Sequence, residues 1–68
     1  MSITLILTKH ALQRMAEQGI TAEQIKIAIQ QGAKFKQTEG YLVKYSYLRV
    51  AYKIVREETY KIKTVFTE

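Results

Sequence analysis

The hydrophobic period of this 68-residue chain changes once, at Gly32. That change constrains the fold more than any other feature. Before Gly32, apolar residues recur at helical spacing; after it they alternate, as in strands with one buried face. No proline interrupts either half. There is no linker, repeat or low-complexity tract at which a second domain could begin. The pattern predicts one domain over residues 1–68, α+β in class, with an N-terminal helical hairpin packed on a three- to four-stranded antiparallel sheet.

The helices are expected at about 9–18 and 22–31. Thr8 is placed to cap the first, Ala11, Leu12 and Met15 form its apolar stripe, and Gly19 stands where a left-handed terminal residue is wanted. The second opens with Thr21 and Gln24, the spacing of a capping box, between Ile20 and Ile25, the spacing of a hydrophobic staple. Ile25, Ala28 and Ile29 supply its buried face. Only Gly19-Ile20-Thr21 links the two, which implies a tight helical hairpin.

Strands are expected at about 34–38, 41–46, 48–55 and 59–67. In the last two, Leu48, Val50, Tyr52 and Ile54 alternate with Arg49, Ala51, Lys53 and Val55. Tyr60, Ile62, Thr64 and Phe66 alternate with Thr59, Lys61, Lys63 and Val65. A two-residue Glu57-Glu58 loop would set Ile54 against Lys61 and Tyr52 against Lys63, mixing charge into the core face. A three-residue loop, Arg56-Glu57-Glu58, pairs Ile54 with Tyr60, Tyr52 with Ile62 and Leu48 with Phe66, so the apolar faces coincide. That register sets Lys53 opposite Lys61, with Arg49 and Lys63 nearby. Like charges directly opposed are destabilising, and a sheet accepts them on a solvated face or on one that receives an anion.

Charge points the same way. The net charge is +5 and the isoelectric point is near 9.6, which favours an anionic partner. There is no cysteine, so disulfides and thiolate metal sites are excluded. One histidine and six scattered glutamates, without any aspartate, fit neither a metal site nor paired-carboxylate hydrolysis. No metal and no cofactor is expected. The apolar opening, Met1 to Leu7, lacks a basic leader and a cleavage site and meets Lys9 at once, so it does not read as a signal peptide. No apolar run approaches the roughly 20 residues of a membrane span. The expectation is a cytoplasmic protein without a membrane partner.

The remaining chemistry belongs to His, Arg, Lys, Tyr and Thr. His10 and Arg14 lie four residues apart on one face of the first helix, offset from the apolar stripe. Histidine can exchange a proton near neutral pH, and arginine can hold a phosphate in bidentate fashion. Metal-independent RNA cleavage needs only such groups: a base for the 2′-hydroxyl, an acid for the leaving oxygen, and cations for the charged phosphorane.

Leu7-Thr8-Lys9-His10-Ala11-Leu12-Gln13-Arg14-Met15-Ala16-Glu17-Gln18-Gly19-Ile20-Thr21 resembles the opening of the DUF4258 family. Leu48-Arg49-Val50-Ala51-Tyr52 and Lys63-Thr64-Val65-Phe66 are similar to its last two strands. The resemblance spans most of the chain. It implies the barnase–EndoU–colicin–RelE-like RNase fold group, with many toxins that cut RNA. It carries His10 and Arg14 over as the helix-borne polar pair, Arg49 as the basic residue at a strand start, and Thr64 as the strand threonine. The sequence departs from the family pattern at Gln18, Lys63 and Phe66.

The reading is a metal-independent, toxin-like endoribonuclease. His10, Arg14, Arg49 and Thr64 would be catalytic, and Lys53, Lys61 and Lys63 would guide the RNA backbone. Two alternatives stay open. One is a nucleic-acid-binding module without catalysis, with Tyr41, Tyr45 and Tyr47 as stacking partners. The other is a protein-interaction domain that pairs with an acidic antitoxin-like chain or with itself, using the edge strand around Lys34–Thr38.

Overall fold

The computed structural model describes residues 3–68. A first strand, β1 (Thr4–Leu7), precedes the helices α1 (Lys9–Gln18) and α2 (Ala22–Gln31). Four strands follow: β2 (Ala33–Gln37), β3 (Gly40–Tyr45), β4 (Leu48–Arg56) and β5 (Thr59–Thr67). The described residues form one five-stranded sheet in the order β1-β5-β4-β3-β2. Hairpins make β2 to β5 antiparallel, and β1 joins the outside of β5 in parallel.

This corrects the expected helical hairpin on a three- to four-stranded antiparallel sheet. The sheet is mixed and has five strands, and a strand comes before the helices. Thr4-Leu5-Ile6-Leu7 is too short to declare a period. It becomes a strand because β5 offers an edge, on which Leu7 pairs with Ile62. Nor do the helices rest chiefly on each other: α1 lies along β5, while α2 lies against β3 and β4.

Both ends of α1 are tied to β5. The Thr8 hydroxyl accepts from the Ala11 N–H, capping the helix (3.2 Å), and donates to the Ile62 carbonyl (2.8 Å). At the other end, Gln18 Oε1 accepts from the Thr67 N–H (2.8 Å) and the Thr67 hydroxyl (3.0 Å). Ten helical residues rise about 15 Å, and the five steps from Ile62 to Thr67 span about 17 Å, so helix and strand run side by side. The N–H of Glu68 donates to the Tyr47 carbonyl beside β4. That of its neighbour Thr67 therefore points away from β4, to the outer edge. Beyond the end of β1, α1 thus covers the free edge of β5. The second helix has the capping box its sequence predicts, with Thr21 and Gln24 bonded reciprocally at 2.9 and 3.2 Å.

The core lies between the helices and one face of the sheet. Ala11, Met15, Ile20, Ile25, Ala28 and Ile29 pack on Val43, Leu48, Val50, Tyr52, Ile62 and Val65. Leu12, expected in the apolar stripe, is 50% exposed, because α1 sits at the rim of the core. Gly32 lets the chain turn tightly from α2 into β2: a Cβ there would stand 2.6 Å from the Ala28 carbonyl oxygen and 2.7 Å from Val43 Cγ2.

Two irregularities set the β4–β5 register. Tyr52 faces Ile62 and Ile54 faces Tyr60, but the turn between the strands is only Glu57-Glu58. The extra residue is absorbed at Val55 by a shift between Ile54 and Arg56. A second shift between Ala51 and Tyr52 leaves Lys63 without a partner. A bulge inserts one residue and so exchanges the faces beyond it. Val65, not Phe66, is therefore fully buried; Phe66 pairs with Arg49, and Thr67 pairs with Leu48.

Candidate nucleic-acid interface

The helices cover one face of the sheet and leave the other open. Register places the open-face residues in rows across the strands. The central row is Phe35, Leu42, Ala51 and Thr64, each paired with the next. On one side of it, Lys44 pairs with Arg49; on the other, Lys53 pairs with Lys61, which pairs in turn with Ile6 of β1. Along β4 the cations of the two flanking rows, Arg49 and Lys53, stand four residues or about 14 Å apart. An apolar strip thus runs between two basic borders.

The second border is the more open. Lys53, Lys61 and Lys63 line a shallow depression together with Glu39. All three lysines are exposed, and Lys53 and Lys61 oppose each other directly. The bulge brings Lys63 into this group, and its ammonium donates to the Glu39 carbonyl. That contact depends on Gly40. With φ of +127° and a would-be Cβ 2.5 Å from the Tyr52 carbonyl oxygen, the position admits only glycine, which allows the Thr38-Glu39 turn to close down on β4. Such a depression can hold an anion with charge distributed along a chain.

At the first border, the Lys44 ammonium lies 5.1 Å from the centre of the Phe35 ring, a cation–π contact. Arg49 is largely spoken for. Its side chain is only 15% exposed. It donates to the carbonyls of Ser46 (2.9 Å) and Leu48 (3.2 Å) and pairs with Glu68 at 3.5 Å. Its buried Nε has no partner. Ser46 has a φ of +56°, uncommon for a residue with a side chain, and Arg49 straps that turn.

His10 and Arg14 lie in the helix layer. Both are exposed; Arg14 pairs with Glu17 at 3.8 Å, and among the described residues the His10 side chain makes no hydrogen bond. With Gln18 they form a row at four-residue spacing. Of the row, only Gln18 reaches β5. The predicted site residues therefore fall into two separate groups: Lys53, Lys61, Lys63, Thr64 and Arg49 on the open face, and His10 with Arg14 in the helix layer that covers the other face. Sequence reasoning missed Phe35, Leu42, Lys44 and Glu39. Lys44 in a strand-forming run was a visible signal, but its place beside Arg49 follows from β3–β4 pairing.

Of the tyrosines, Tyr41 stacks on Tyr52 with ring centres 5.7 Å apart, and Tyr60 meets Tyr52 edge-on at 5.4 Å. All three are on the core side. Tyr45 and Tyr47 are exposed at the far end, beside α2. Among the described residues no group of acidic or histidine side chains could hold a metal ion, and no helix is long and apolar enough to cross a membrane.

The family model DUF4258, a domain of unknown function, matches residues 7–67. The chain belongs to the DUF4258 family. A search of curated proteins gives no match to this DUF4258 chain. Its structure is similar to a chain of the toxin–antitoxin complex RelBE2 from Mycobacterium tuberculosis, with a TM-score of 0.71 and 17% identity over 100% of both chains. At that identity the likeness is one of fold.

Proposed function

We propose that this DUF4258 chain is a toxin-like protein of the barnase–EndoU–colicin–RelE-like RNase fold group that holds single-stranded RNA on the open face of its sheet. One observation carries the reading: the row Phe35–Leu42–Ala51–Thr64 lies between basic borders. Unstacked bases have apolar faces and charged backbones, so bases suit the strip and phosphates suit the Lys53–Lys61–Lys63 depression. The fold shared with a component of a toxin–antitoxin complex supports the toxin-like part.

Metal-independent cleavage of the bound RNA extends this reading. It draws on α1, which carries the exposed His10 and Arg14 and is tied through Gln18 to the strand bearing Lys61, Lys63 and Thr64. RNA would wrap over the edge of β5 to meet both groups. His10 would take the 2′-hydroxyl proton, the 2′-oxygen would attack phosphorus, and the bond to the 5′-oxygen would break, leaving a 2′,3′-cyclic phosphate and a 5′-oxygen that takes its proton from solvent. Arg14 would hold the phosphate, and Thr64 would contact the strand from the sheet. Arg49 would keep the β3–β4 turn in place more than touch phosphate.

The test is binding of a labelled single-stranded RNA across a salt series, with cleavage of mixed RNA in EDTA. Three lysine–phosphate contacts predict that log K falls against log salt with a slope of about −2, and that Lys53→Ala removes about 0.7 of it. His10→Ala is expected to abolish cleavage and leave binding intact. Salt-independent binding, or binding indifferent to Lys53, Lys61 and Lys63, would refute the interface. Cleavage that survives His10→Ala would refute the catalytic assignment alone.

A further inference from the structure

The two edges of the sheet are finished differently. The β5 side is closed by β1 and then by α1, through Thr8 and Gln18. Among the described residues the opposite edge is bare. All five residues of β2 are exposed, and among the described residues this strand pairs only with β3. Its outward N–H and C=O groups form an unfilled ladder, the usual template for an added strand.

The side chains of β2 say what could fill it. Lys34 and Lys36 pair with Val43 and Tyr41 and share their face, toward the helix layer. Phe35 stands on the other face, 47% exposed, with Lys44 over its ring. Among the described residues neither Lys34 nor Lys36 forms an ion pair, although Lys34 shares a hollow with Glu58. A second copy is a poor occupant: antiparallel self-pairing about Phe35 sets Lys34 against Lys36, and like charges directly opposed are destabilising.

We propose that β2 accepts an extended acidic segment of another protein as a sixth strand. Acidic side chains at alternate positions meet Lys34 and Lys36, and an apolar side chain between them packs on Phe35. Edge lysines commonly guard a sheet against unwanted pairing. Here the same two charges select: they repel basic strands that would otherwise add, and they attract an acidic one. The site shares Phe35 with the apolar row but none of Lys53, Lys61 and Lys63, and strand addition to β2 requires no RNA.

The probe is a capped seven-residue peptide of alternating glutamate and valine, titrated into the whole chain and followed by backbone amide NMR shifts. Binding is expected in the micromolar range, with the largest shifts at Ala33–Gln37, and weakened by salt. Alternate backbone N-methylation of the peptide is expected to abolish it, because the methyl groups remove the ladder donors. Lys34→Glu with Lys36→Glu, both on the exposed strand, is expected to weaken it by about tenfold or more and to bind the lysine–valine version of the peptide instead. The proposal is overturned by dissociation constants above about 1 mM. It is equally overturned by shifts centred on Lys53 and Lys61, by binding indifferent to N-methylation, or by binding unchanged in the double variant.

Discussion

Gly40 and Lys61 expose the physical logic of the open face residue by residue. At Gly40 an added methyl meets the Tyr52 carbonyl oxygen at 2.5 Å on a backbone with φ of +127°. Gly40→Ala is expected to cost about 1–3 kcal/mol in chemical denaturation, and to weaken RNA binding as Glu39 leaves Lys63. Lys61 is a different case, since it opposes Lys53 across the ladder. Lys61→Thr relieves that repulsion and is expected to stabilise the fold by roughly 0.2–1 kcal/mol while weakening RNA binding. A gain in stability with a loss in affinity identifies a charge kept for a ligand; a loss of both would make Lys61 an ordinary structural residue. The opposition of these two lysines was legible in the alternation of the last two strands. Lys63 was legible as a basic residue, but its contact with Glu39 depended on a glycine turn two strands away.

At the level of elements, α1 is a ten-residue helix, too short to be stable alone, and its ties to β5 give it a fixed place. Gln18→Ala removes the acceptor of the Thr67 N–H and hydroxyl. The expected loss is about 0.5–1.5 kcal/mol, with faster amide hydrogen exchange at Thr67 as the local signature. Unchanged exchange there would mean that α1 does not close the edge. Both helix caps were legible because capping is local: Thr8 and Thr21 act on residues three positions on. The second tie of Thr8, to Ile62 across 54 positions, was not. The β-bulges were hidden for a related reason. Alternation in Tyr60 to Phe66 reads smoothly, and only packing against β4 and α1 decides that Val65 goes in and Phe66 out.

For the whole molecule, burial and the neighbouring phenols of Tyr60 and Tyr41 push the Tyr52 hydroxyl above its ordinary value of 10.0. The folded chain then holds this proton more tightly than the unfolded chain. The contribution is full below the unfolded value near 10 and is lost as pH rises through the higher folded value. The denaturation midpoint is therefore expected to fall above about pH 10, and Tyr52→Phe, which keeps the stacked rings, is expected to flatten that fall. A midpoint as pH-sensitive in Tyr52→Phe as in the parent would assign the alkaline loss elsewhere. The three rings join β3, β4 and β5 at one end of a core that is only one layer deep. The opposite face has no such layer, which is why an apolar row stays open between its lysines.

The amino-acid sequence by itself determined the local events: where the helices are capped, where the period changes at Gly32, which strands alternate, and that Lys53 stands against Lys61. These depend on neighbours within a few positions or on a pattern repeated along one strand. Only the tertiary structure decided that Thr4–Leu7 is a strand, that the sheet is mixed, that α1 belongs to β5 and α2 to β3 and β4, and that His10 and Arg14 lie in the helix layer, across the sheet from Lys53 and Lys61. The physical reason is that these depend on edges and hydrogen-bonding groups left unsatisfied elsewhere in the fold. A four-residue apolar run has no intrinsic structure until β5 presents an open ladder beside it, and a helix flank has no direction until its ends are tied.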